Sequence, residues 1–141
     1  MKHLSSVEDQ DFLREFEACK IPLAQFNQRA HIRLAYVYLS GHDADTAYKL
    51  MRSALLSFLE YHGVDISKYH ETITRAWINA VRHFMEKTPS AESADDFIEK
   101  NPIMLDSKIM LTHYSAEVLF SDEARAKFVE PNLEPIPRYD R

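Results

Sequence analysis

Residues 27–41 read NQRAHIRLAYVYLSG, and this stretch decides the fold class. An asparagine such as Asn27 caps a helix through its side-chain oxygen, and a glycine such as Gly41 ends one most cheaply in a left-handed conformation. Between them Ile32, Leu34, Ala35, Tyr36, Val37, Tyr38 and Leu39 leave no broad polar face. The pattern predicts a helix over Gln28 to about Ser40 that lies near the centre of the molecule, buried between other helices. A helix apolar all round must be covered on every side, by the rest of the chain or, in the simplest alternative, by a second copy in a homodimer.

Outward from this centre the helical period continues. A helix over about Val7 to Ala18 is opened by Ser5 with Glu8 at capping-box spacing. A third, about Asp45 to His62, carries Ala47, Met51, Ala54, Leu55, Phe58 and Leu59 on one stripe and stops at Gly63. A fourth, about Lys68 to Lys87, can be capped by Ser67 and turns Ile73, Trp77, Ala80, Val81 and Phe84 inward before Pro89. Shorter segments follow at Ala94 to Lys100, after Asp106 and at Ser121 to Val129, with Asn101-Pro102 and Ser115 as breaks or caps. The end, EPNLEPIPRYDR over 130–141, holds Pro131, Pro135 and Pro137 and reads as an extended strap. The expectation is an all-α compact bundle of about four long helices with short C-terminal ones, one domain over 1–141.

Composition narrows the function classes. With 45% hydrophobic and 28% charged residues in 141, the chain can bury a core without disulfides or a structural metal. Seventeen basic against twenty-two acidic residues, intermixed, provide no stripe to neutralise a phosphate backbone, so no nucleic-acid partner is expected. The longest apolar run, Leu34 to Leu39, is too short for a membrane, and MKHLSSVEDQ lacks the apolar stretch of a secretory signal; the chain reads as cytoplasmic. Cys19 is the only cysteine and reads as a structural thiol. The glycine motifs of dinucleotide, P-loop and nucleophile-elbow sites are absent, and no cofactor is named by the sequence.

Two histidines stand where a core prefers aliphatic side chains. At about 100° per residue, His70 lies about 20° from Trp77, within the inward arc of its helix, and His31 lies about 40° from Ala35 on the buried face of the central helix. A desolvated imidazole needs partners for both nitrogens; Thr74, Glu71, Tyr38, Asp106, His113 and Tyr114 are the candidates. One reading makes His31 and His70 satisfied core-edge histidines. The other makes them a shared polar pocket between the second and fourth helices, with His70 as general base, Glu71 as its orienter, and Gln28, Thr74, Trp77 and Tyr38 contacting a ligand. Arg33, about 200° from His31, belongs to another surface, where a structural salt bridge is expected. His70-Glu71 starts like the zinc motif HExxH, but Thr74 stands at its second histidine, so no metal ligand is assigned.

The blocks FNQRAHIRLAYVYL (26–39), KYHETITRAW (68–77) and NPIMLDSKIMLTHYS (101–115) resemble a family of small bacterial all-helical proteins over most of the chain. The resemblance brings the fold and contains His31 and His70, and it brings no activity. It also implies a histidine at the position of Gln28, which would make a His-x-x-His pair with His31. Glutamine there is a neutral hydrogen-bonding substitute and favours an organic ligand over an ion. Because free amides and the dipole converge at helix starts, the sequence leans toward a small polar or acidic ligand. The competing class is a non-catalytic helical interaction or dimerisation protein with structural histidines, and a histidine-based metal-binding protein is the third.

Overall fold

The computed structural model describes residues 2–139, and the chain is all-α, with only a two-stranded contact beside its helices. Helix α1 spans Val7–Glu17 and is capped by Ser6, not Ser5. The Ser6 hydroxyl accepts the Asp9 N–H while Asp9 accepts the Ser6 N–H, each at 3.0 Å. Two overlapping capping spacings exist here, and long-range partners select between them. Asp9 is buried, and it also accepts the Ala94 N–H at 2.8 Å and the Arg33 Nε–H at 3.0 Å. Arg33 thereby forms the structural salt bridge expected of it. The end of α1 is closed by Cys19 at φ 59°, with the Lys20 and Cys19 amides bonding back to the Glu15 and Phe16 carbonyls. A cysteine there occupies the place where glycine costs least.

Helix α2 covers Gln28–Gly41, with the Asn27 side chain accepting the Ala30 N–H at 3.0 Å as expected. Gly41 is its last residue and not a left-handed stop; the chain straightens at His42, and Asp43 caps α3, Ala44–Tyr61, through the Thr46 N–H. Gly63, at φ 69°, does close α3 with the same pair of return bonds seen after α1. Helix α4 spans Glu71–Lys87 and begins three residues later than the sequence predicts. Ser67 sits in a single 3-10 turn, Ile66–Lys68, its amide held by Asp65. The cap of α4 is His70.

Helix α2 packs against α1, α3, α4 and the later helix α5, Ala94–Lys100, and against the 3-10 turn Pro102–Leu105. The cover that its apolar circumference needs is therefore supplied within the chain. Phe16, Phe26 and Phe58 bring α1, the segment before α2 and α3 together, with Phe16 and Phe58 stacked at 4.6 Å. Tyr36 stacks on Phe97 at 4.8 Å between α2 and α5. Lys2–His3 (β1) pairs in parallel with Ser90–Ala91 (β2), a contact too short to leave an alternating pattern in the sequence.

Beyond α5 a second 3-10 segment, Ser107–Thr112, leads into α6, Ala116–Leu119, and α7, Asp122–Ala126, capped by Ser115 and Ser121. The helix expected to run to Val129 stops at Ala126. The Thr72 hydroxyl donates to the Lys127 carbonyl at 2.9 Å and accepts the Val129 N–H at 3.0 Å, drawing the chain out straight along α4. The proline segment then forms the expected strap, pinned by the Leu133 N–H to the His113 carbonyl at 2.9 Å and by buried Ile136. Asp140 and Arg141 of that expected strap, and Met1, lie outside the described residues. Among the described residues no helix is long and apolar enough to cross a membrane.

Candidate functional site

The extended backbone at Tyr69 and His70 delivers the chain into α4 at a corner where the sequence concentrates polar groups. The His70 Nδ1 accepts the Ile73 N–H at 3.1 Å, and its Nε2–H donates to the Leu119 carbonyl at 2.6 Å. This pairing fixes one neutral tautomer with both nitrogens committed. Burial lowers the His70 pKa, with the Leu119 bond opposing and the Arg125 charge assisting. The Thr74 hydroxyl donates to the His70 carbonyl at 2.9 Å, so Thr74 serves the same turn.

Glu71 follows His70 in the chain but faces α3. It accepts hydrogen bonds from Tyr48, from Tyr69 at 2.9 Å and from the Arg52 Nε–H at 2.9 Å. Burial pushes its carboxyl up, but these three donors and the Arg52 charge outweigh burial, and the net shift is below the ordinary carboxylate range. Arg75 lies over the Tyr48 ring at 4.8 Å and reaches Asp45 at 3.3 Å. The cluster rivets α3 to α4 through the Glu71–Arg52 ion pair, while the buried Nε of Arg75 keeps no hydrogen-bond partner among the described residues. It gives Glu71 no hydrogen bond to His70 among the described residues.

His31 meets different neighbours. Its ring stands edge-on to Trp77 at 6.3 Å and to Phe26 at 6.0 Å, and among the described residues it has no hydrogen-bond partner. Burial lowers its pKa to about 4. Gln28 Nε2 donates to the Met104 carbonyl at 3.0 Å and ties the 102–105 turn to α2. Tyr38 donates to Glu17 at 2.7 Å, and burial, then this carboxylate, raises its pKa. It borders an open groove of about 540 Å³ shared with His3 and His42. The structure thus brings His31 to Trp77 and His70 to Thr74, while Gln28, Tyr38 and Glu71 each bond elsewhere.

No family model matches this chain, nor does any curated protein or solved structure. The site has to be argued from geometry.

A second concave feature has the character of a ligand site, an apolar cleft with a few convergent polar groups. It measures about 380 Å³ and is lined by Phe84 of α4, Ile103, Ile109 and Met110 of the 3-10 turns, and Pro135 and Ile136 of the strap. His83 and His113 line it from opposite elements. The His113 Nδ1–H donates to the Glu134 carbonyl at 2.7 Å, which leaves Nε2 of the neutral ring as a bare acceptor. His83 Nδ1 pairs with the Tyr139 hydroxyl at 2.9 Å, and the two rings stack at 6.0 Å. Burial, then Lys87 and His113, lowers the His83 pKa. Among the described residues no group of three or more His, Cys, Asp or Glu side chains is placed to hold a metal ion.

The sequence offers His113 only as a hydrogen-bond partner for His31 or His70 and does not single out His83 or Glu134. The available signal was indirect: three prolines that force an extended strap, which must lie on something apolar.

Proposed function

We propose that the protein binds a small amphipathic molecule in the cleft between α4, the two 3-10 turns and the C-terminal strap. The observation that carries this reading is a cleft of about 380 Å³ with apolar walls and two histidines, each hydrogen-bonded among the described residues through Nδ1 alone. Its size is at the lower end of those that enclose small ligands. The polar residues at the start of α4, by contrast, have their hydrogen-bonding capacity used by the fold. The test is titration with n-hexanol while following the imidazole resonances. Saturable shifts of His83 and His113, with a rising melting temperature as linkage requires, are expected. They should weaken in Ile103→Glu, which places a charge in the apolar wall at an exposed position that tolerates it. Absence of saturable shifts, or shifts centred on His31 and His70, would remove the reading.

A second reading keeps the pocket between α2 and α4 and rests on the ring of His31, neutral and without a hydrogen bond between Phe26 and Trp77. Such a ring can accept a hydrogen bond from a ligand, with Trp77 and Gln28 beside it. His31→Leu distinguishes the roles: a gain in stability supports a binding ring, because functional polar groups are held at a cost to the fold. A loss of about 2 kcal/mol or more, the scale of a broken core interaction, makes it a structural member of the core.

A further inference from the structure

The sequence favours an acidic ligand because helix starts present free amides, but at each of these starts the fold itself already holds one of them: Asn27 holds the Ala30 N–H and His70 holds the Ile73 N–H. The polar inventory of the cleft has the opposite character. His113 spends its N–H on the Glu134 carbonyl and keeps an acceptor. The Glu134 N–H is directed back to the Thr112 carbonyl at 3.4 Å, so the strap and the turn form a two-way ladder that sets Glu134 alongside the His113 ring. Glu134 itself, an exposed acidic residue of the strap, is among the residues that line the cleft. An uncommitted imidazole nitrogen and a carboxylate beside an apolar wall ask for a donor that carries positive charge.

We infer that the occupant of this cleft is a small primary amine with an apolar body, its ammonium group held between Glu134 and the His113 Nε2 and its hydrocarbon against Phe84, Ile103 and Ile109. This rests on the cleft being the ligand site. Charges facing the position come from every side. On α4 they are His83, neutral near pH 7, and Lys87, an exposed cation whose long stem lets its charge stay in water. On the turn there is His113, and on the strap Glu134 and the Tyr139 hydroxyl that pairs with His83.

The experiment compares n-hexylamine, n-hexanol and hexanoate on the whole chain by calorimetric titration at pH 7.5. The amine should bind at least tenfold more tightly than hexanoate and several-fold more tightly than the alcohol. Glu134→Gln, at an exposed strap position, should bring the amine down to the level of the alcohol measured on the same variant. Hexanoate binding as tightly as the amine, or an amine preference untouched by Glu134→Gln, would overturn the ligand class while the cleft stands. If none of the three binds saturably, the cleft itself is not the site and both proposals fall.

Discussion

Replacing His70 with alanine removes two interactions that the fold cannot remake. The Ile73 N–H loses its cap, which costs about 1 kcal/mol. The Leu119 carbonyl, in a residue only 2% exposed, loses its donor at about 2 kcal/mol. Together these come to about 3 kcal/mol. For a chain of 141 residues, an unfolding entropy near 2 cal/mol/K per residue turns this into a fall in melting temperature of about 10 °C. Differential scanning calorimetry at pH 7.5 reads it directly, and His70→Asn separates the two parts. Asparagine caps a helix well but is too short to reach Leu119, so it should recover about 1 kcal/mol, roughly the capping share. A fall of less than about 3 °C in His70→Ala would refute the account, since the ring would then hold nothing that the fold needs. Equal losses in the alanine and asparagine variants would show that capping plays no part.

Three further outcomes can be measured. His31, with a folded pKa of about 4, favours the fold most when neutral; its contribution is complete above the ordinary value of 6.5 and is lost as the pH falls toward 4. Urea titrations at pH 7 and pH 5 should show His31→Leu escaping about 2 kcal/mol of the wild-type loss, with His70 and His83, shifted in the same direction, accounting for part of the remaining slope. Glu71→Gln turns an acceptor of three bonds toward its donors and should cost about 3 kcal/mol, against about 1 kcal/mol for Tyr48→Phe, by chemical denaturation. Its lowered pKa also places this contribution above the folded value, so the gap between wild type and Glu71→Gln should close as acid protonates the carboxyl. Cys19→Gly relieves a left-handed non-glycine residue and should raise stability by about 1 kcal/mol, about 3 °C in melting temperature.

The helical class and the central place of α2 could be read from residues 27–41 because period and capping are local properties of the chain. The start of α4 could not. Capping preferences point to Ser67, whereas the imidazole that caps the helix is fixed by a carbonyl 49 positions away in α6. The same limit applies to the Ser5 and Ser6 caps, where Asp9 is chosen by Arg33 and by the amide of Ala94. Angular reckoning correctly turned His31 and His70 inward. It says nothing of what each meets, and on neighbouring helices two inward rings found different company: aromatic edges for His31, a backbone carbonyl for His70.

The cleft was hidden for a related reason, since its histidines and its carboxylate come from α4, a 3-10 turn and the strap, and no spacing in the chain links them. Prolines stated where the strap cannot be helical without stating what it lies against. What separates His70 from His113 is how the fold spends their nitrogens. His70 gives one to an amide and one to a carbonyl, and any substrate that used it would have to break a helix cap first. His113 gives one nitrogen to the strap and is thereby oriented, with the other left over, the same economy by which a second hydrogen bond fixes the tautomer of a functional imidazole. Burial alone therefore does not rank these residues by the hydrogen-bonding capacity they keep. The ring that is half spent in an apolar cleft has more chemistry to offer than the ring that is wholly spent in the core.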